Sequence, residues 1–239
     1  MRNLSMVVEY DGTRFFGWQY QPNKRTVQGE IQTALKKITS DDVKLIGAGR
    51  TDQGVHALGQ VANFHTGSEL PLISIKKGTN ALIGDDVYIK DVAVVPDDFH
   101  SRFSATSKVY RYHITLEPSV FRLRYTWYLK QVPDIALMQR AVPLLGGERD
   151  YRSFSVQNGS DNTICNLMGI SATRDDSEII MSFEGNRFLR KMVRGLAGFM
   201  VDIGRGRFAL CDIPEFFDGT RGPINFAPPQ GLFLESVRY

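Results

Sequence analysis

The stretch Gly47–Ala57 reads GAGRTDQGVHA and concentrates residue types that can do chemistry. Gly47, Gly49 and Gly54 permit tight turns and let a ligand approach the backbone closely. Among them stand a cation, Arg50, and an anion, Asp52, two residues apart. In extended backbone, residues i and i+2 project to one side, so the loop is expected to present a guanidinium and a carboxylate together at the end of a strand. An ionised carboxylate held in this way can attack an electrophilic carbon or take a proton. A structural role competes with this, because pinning a loop is the commoner use of an isolated Arg–Asp pair. Two nucleotide-cradling patterns do not fit. Asp52 stands where the third glycine of GxGxxG belongs, and no Gly-Lys-Ser/Thr closes the stretch as in a P-loop.

The second concentration is basic. Net charge is only +3, with 29 Lys+Arg against 26 Asp+Glu. Residues 1–107 hold 12 of each sign, so the excess lies wholly in the remainder, 17 against 14. Arg187, Arg190, Lys191, Arg194, Arg205 and Arg207 cluster there against one acid, Asp202. Such a block suits a polyanion-binding surface and equally a solvated helix face. His56, His65, His100 and His113 do not fall at metal-ligand spacing with Cys165 or Cys211, so no metal is expected.

Periodicity gives the elements that must position these groups. Leu4–Tyr10 alternates as a half-buried strand. Thr26 can cap a helix with Val27, Ile31, Leu35 and Ile38 on one face, and Lys36 and Lys37 suit its C-terminal end. Strands are expected at Val43–Ala48, Gln60–Thr66, Val87–Val95, Lys108–Leu116, Met168–Thr173, Glu178–Glu184 and Gly231–Arg238. Helices are expected from Pro71 to about Leu82, over Ile135–Leu145, and over Arg187–Ile203 capped by Asn186. On that last helix Arg187, Arg190 and Arg194 fall at i, i+3 and i+7 and share a face. Tyr112 and Phe103 read as core, and Trp18 as packing. The alternation gives an α+β (α/β-like) fold with helices on one face of mixed or antiparallel sheets, in two halves, 1–104 and 105–239.

Composition bounds the rest. At 42% hydrophobic and 23% charged, the chain has an ordinary globular balance. The N-terminus runs straight into a strand pattern without a signal peptide's apolar block, no apolar run is long enough to span a bilayer, and two cysteines make no disulfide framework. A cytoplasmic protein is expected.

GAGRTDQGVHA resembles the signature of the TruA family of tRNA pseudouridine synthases. Further matches follow in family order: YDGTRFFGWQYQ (Tyr10–Gln21), SKVYRYHI (Ser107–Ile114), FLRKMVRGLAGFMVDIGRGR (Phe188–Arg207) and APPQGLFLESVRY (Ala227–Tyr239). Five matches in order span nearly the whole chain. The resemblance implies that Asp52 is the catalytic carboxylate, that Arg50 helps displace the target base, and that Tyr110 stacks on the target nucleotide. It also implies that Arg194 pairs with the aspartate, and Arg187, Arg190, Arg205 and Arg207 are the remaining candidates for RNA binding. Gln53 stands where the family usually has a small alanine. A homodimer is implied that acts on the anticodon arm of tRNA at positions 38, 39 and 40, with a catalytic cleft between the halves.

The chemistry agrees with these residue types. Converting uridine to pseudouridine breaks the N1–C1′ bond, turns the uracil and joins C5 to C1′, so no redox cofactor or metal is required. The carboxylate must be ionised, which a neighbouring guanidinium favours, and an aromatic face must hold the extruded base. A glycosidase-like base remover is disfavoured because no second carboxylate stands at suitable spacing. A non-catalytic RNA-binding or tRNA-chaperone module is the alternative outside the enzyme class, and the Arg50–Asp52–Tyr110–Arg194 set argues against it.

Overall fold

The computed structural model describes residues 1–157 and 162–239, and the chain divides into two compact units. The first contains Met1–Thr106 together with Phe233–Tyr239, and the second contains Ser107–Leu232. The sequence puts the junction two residues earlier and leaves the last strand with the second half. Phe233–Tyr239 instead group with the first unit, where Phe233 and Leu234 pair with His56 and Ala57.

The first unit is built on β1 (Arg2–Tyr10), β2 (Ile46–Gly47), β3 (His56–Thr66), β4 (Val87–Val95) and β10 (Leu232–Arg238). Its sheet runs β4-β1-β3-β10, with β2 also on β3. β1 is antiparallel to both neighbours, whereas β10 is parallel to β3, pairing Phe233 with His56 and Leu234 with Ala57. Leu4, Met6, Val8 and Tyr10 are buried, as the alternation requires. The β1–β3 register slips between Val8 and Tyr10, an irregularity of the kind that re-aims a side chain. Helix α1 (Val27–Thr39) starts where Thr26 accepts a hydrogen bond from Gly29 N–H, and it buries Val27, Ile31 and Leu35. Helix α2 (Leu72–Leu82) packs against α1 and β4.

The second unit carries β5 (Ser107–Thr115), β6 (Trp127–Tyr128), β7 (Gly147–Asp150), β8 (Ile164–Asp175) and β9 (Glu178–Gly185). The order β5-β9-β8-β7 is antiparallel throughout, and β6 adds to β5 in parallel. Helices α3 (Ile135–Leu145) and α4 (Met192–Gly204) pack on each other, and the short α5 (Ile213–Phe217) follows. Rings of Phe154, Phe199, Phe208 and Phe216 form the aromatic part of this core, with centroids 4.6–6.4 Å apart. Tyr112 is fully buried, and its hydroxyl donates to the Pro228 carbonyl at 2.7 Å. Both units mix sheet and helix, so the fold is α+β.

Three expectations need correction. The helix expected over Arg187–Ile203 begins only at Met192, because its proposed cap is spent elsewhere. Asn186 gives its side-chain oxygen to Asn166 N–H and its own N–H to the Asn166 carbonyl, while Lys191 takes a left-handed conformation at φ 60°. Arg187 and Arg190 therefore precede α4 and share no helical face with Arg194. The strand expected at Val43–Ala48 shrinks to Ile46–Gly47. Phe103 is 73% exposed rather than core, with the His100 ring 4.4 Å away and the Arg102 guanidinium at 5.2 Å.

Helix α4 approaches neighbouring main chain so closely that glycine is required at two of its positions. A Cβ on Gly195 would collide with the Phe154 carbonyl, and one on Gly198 with the Asn225 carbonyl. Gly198→Ala gains about 1 kcal/mol of helix propensity. Against this stands an overpacking cost of about 1–3 kcal/mol, since backbone rather than a flexible side chain must yield. A net loss is expected, read as a lower urea midpoint at unchanged slope. An unchanged or raised midpoint would show that α4 can shift freely.

Candidate active site

The turn around Asp52 is assembled from three directions, all within the first unit. From its own strand side, Ala48 N–H donates to the Val61 carbonyl at 2.8 Å, and Gln60 Nε2 to the Gly49 carbonyl at 2.8 Å. At the turn itself, Val55 N–H returns to the Asp52 carbonyl at 3.2 Å. From β1, the Tyr10 hydroxyl meets the Thr51 hydroxyl at 2.8 Å in a buried contact.

The third direction is the segment after β1. Trp18 N–H donates to the Thr51 carbonyl at 3.1 Å. Gly17 has φ +86°, and a Cβ there would lie 2.5 Å from the Thr51 carbonyl oxygen and 3.2 Å from the Asp52 carbonyl carbon. A Cβ on Gly12 would likewise collide with the Val55 carbonyl. Gly12 N–H donates to His56 Nδ1 at 3.1 Å, and Asp11 Oδ1 lies 3.1 Å from the same nitrogen. Behind the segment, α1 holds it in place. Gln28 N–H donates to the Trp18 carbonyl at 3.0 Å, and its side chain bridges Tyr20 N–H and the Leu45 carbonyl, both at 2.7 Å.

Within this frame Asp52 is half-buried, while Arg50 and Gln53 are exposed. Arg50 has no carboxylate partner among the described residues, so the loop-pinning pair is not formed and the guanidinium stays available. The exposure of Gln53 explains how the turn carries a side chain longer than alanine, because nothing has to pack around it.

In the second unit, Tyr110 lies on β5 and is 7% exposed, with the Phe188 ring edge-on at 5.0 Å. Arg194 is in the first turn of α4 and tied there in both directions. Its Nε donates to the Ala227 carbonyl at 2.8 Å, and Ala227 N–H donates to the Arg194 carbonyl at 3.0 Å. The other arginines differ in their freedom. Arg207 pairs with Asp202 at 3.2 Å, and Arg205 reaches the Gln131 carbonyl only at 3.5 Å. Arg187 is half-buried and Arg190 exposed, neither with a carboxylate partner among the described residues. No group of three or more His, Cys, Asp or Glu among the described residues is placed to hold a metal. No helix among them is long and apolar enough to cross a membrane.

Comparison with known proteins decides the family. A family model described as tRNA pseudouridine synthase matches residues 6–104 and 141–239. The chain belongs to that family. It is 41% identical over 246 aligned residues to the tRNA pseudouridine synthase A of Caldicellulosiruptor saccharolyticus, covering all of both chains. Identity is 42% over 243 residues to the enzyme of that name from Chlorobium phaeovibrioides, and 39% over 244 to the one from Geotalea uraniireducens, again with full coverage.

The sequence left the clamp on the loop unread. YDGTRFFGWQYQ stood out as a family match, but no role followed from its residues. The available signal was Gly17 between Phe16 and Trp18, where a glycine among bulky rings marks close backbone approach.

Two outcomes are expected. Gly17→Ala forces a side chain against the Thr51 carbonyl and displaces Asp52, so kcat should fall roughly a hundredfold while far-UV circular dichroism stays unchanged. Wild-type turnover in this variant would mean that the loop does not depend on the contact. Second, Arg190→Ala should flatten the salt dependence of tRNA binding more than Arg207→Ala, since Asp202 already neutralises Arg207. Equal slopes for the two variants would remove that distinction.

Proposed function

We propose that the chain isomerises uridine to pseudouridine at positions 38, 39 and 40 of the tRNA anticodon arm, acting in the cytoplasm as a homodimer with Asp52 as the catalytic carboxylate. Family membership makes it an isomerase of tRNA uridine. The position range, the dimer and the residue roles are the further reading. The observation that carries it is a half-buried Asp52 on a turn held on three sides, beside an arginine with no acidic partner. A loop that only reversed the chain would need neither charge nor so much restraint.

Asp52 supplies an ionised oxygen that either attacks C1′, in a bond that breaks again as C5 joins C1′, or takes the C2′ proton and returns it to C2′ as C5 joins C1′; both routes release uracil at N1 and free the carboxylate at the end. The C5 proton then leaves, and N1 ends protonated, so atoms and electrons balance without a co-reactant. Arg50 takes the place vacated by the extruded base. Tyr110 holds that base, and Arg194 favours the ionised carboxylate. Arg187, Arg190, Arg205 and Arg207 contribute phosphate contacts that set affinity rather than chemistry.

Incubating the protein with unmodified tRNA and mapping pseudouridine tests the reading directly. Asp52→Asn should abolish product while tRNA affinity stays within about twofold, because phosphate contacts dominate binding. An Asn variant that still forms pseudouridine near the wild-type rate would take the catalytic role from Asp52. Wild-type protein that binds tRNA and leaves it unmodified would favour the non-catalytic module.

A further inference from the structure

The first unit carries a groove along α1, beside the clamp and lined by side chains other than those that hold the Asp52 turn. Its volume is about 300 Å³, and Tyr20, Lys24, Glu30, Thr33 and Lys37 are among its walls. Tyr20 is 56% exposed yet well fixed. Its N–H is bound by Gln28, and its ring lies so close to Gly29 that a Cβ there would meet ring carbon at 3.2 Å. A ring resting on backbone with much of its surface open offers a stacking platform at little entropic cost.

The charges around it are suited to an anion. Lys24 and Lys37 are exposed and have no carboxylate partner among the described residues. Lys24 Nζ sits 4.4 Å over the Phe16 ring, which sets where the ammonium stands. Glu30, which lines the groove, is already engaged by Arg25, and the same guanidinium binds Asp86. Hydrogen bonding to Asp86 first, and then to Glu30, raises the Arg25 pKa and keeps it charged. Three cations thus face two acids, and both acids are committed to one of them. The groove also adjoins the catalytic loop through the chain itself, since Tyr20 follows Gly17, whose backbone abuts Thr51, Asp52 and Gln53.

We propose that this groove binds a nucleotide of the tRNA substrate other than the target uridine, with an unpaired base stacked on Tyr20 and flanking phosphates met by Lys24 and Lys37. The proposal rests on the tRNA reading above. The test is equilibrium binding of unmodified tRNA across a salt series, in an Asp52→Asn background so that no turnover intervenes. Tyr20→Ala should raise Kd about fivefold or more, whereas Tyr20→Phe, which keeps the ring, should stay within about twofold. The Lys24→Ala, Lys37→Ala double variant should lower the slope of log Kd against log salt by about 1.4, roughly 0.7 for each lost single-strand phosphate contact. With Asp52 intact, the Tyr20→Ala loss should fall on KM rather than kcat.

Parent affinity and slope in both the Tyr20→Ala and the double-lysine variants would overturn the proposal, and so would equal losses for Tyr20→Phe and Tyr20→Ala. A groove that serves a second copy of the chain or a protein partner gives the first of these results. Wild-type protein that makes no pseudouridine would defeat the functional reading instead, and the binding series would still decide the groove.

Discussion

The segment Gly12–Trp18 and the Asp52 turn meet backbone to backbone, without the width of a methyl group between them. At Gly17 and Gly12 the opposing atoms are peptide carbonyls, which cannot swing aside as a side chain would. Much else in the first unit is arranged around this approach. The register slip in β1 brings the Tyr10 hydroxyl to Thr51, Gln28 holds the segment from behind, and buried Trp18 fills the space beside Gly47. A reacting carboxylate must be held to a fraction of an ångström for its reaction to benefit. Hydrogen bonds from main chain to main chain hold better than long side chains, because fewer torsions remain to relax.

The second unit uses similar means for a different group. Arg194 lies in the first turn of a helix whose glycines let it pack against the backbone of Phe154 and Asn225, and reciprocal bonds with Ala227 fix that turn. A flexible cation becomes a positioned one because its Cα cannot move. The arginines around it are held less firmly, which suits contacts that need charge more than geometry. Asp202 further divides them by neutralising Arg207 while leaving Arg190 exposed and unpaired with any acid among the described residues.

Local patterns in the chain announce what depends on local forces. Helix α3 occupies Ile135–Leu145 as its apolar spacing requires, and Thr26 caps α1 as its residue type suggests. What failed depended on distant partners. Asn186 looks like a helix cap until Asn166 arrives from β8 to take both its side-chain and backbone groups. Phe103 reads as core because nothing nearby in sequence says that His100 and Arg102 will support it at the surface. Arg50, Asp52 and the three glycines marked the Asp52 turn as a candidate site. The clamp on it was not legible, since close approach between residues far apart in sequence, Gly17 to Thr51 and Gly12 to Val55, leaves only a glycine as its trace.

The parallel strand β10 has a consequence for how the molecule comes into being. It lies directly against the start of β3, with the Phe233 ring stacked on His56 at 4.6 Å, one residue beyond the turn that carries Asp52. Thr106 and Ser101 are bonded to the same terminal stretch through Arg238 and Tyr239. During synthesis the first hundred residues emerge early and can collapse, but their sheet lacks a strand until the whole second unit has been made. Sheet closure over so long a separation is slow. A half-made chain therefore presents the open edge of β3 and an unsupported His56, and the Asp52 turn gains its last neighbour only once β10 has been made.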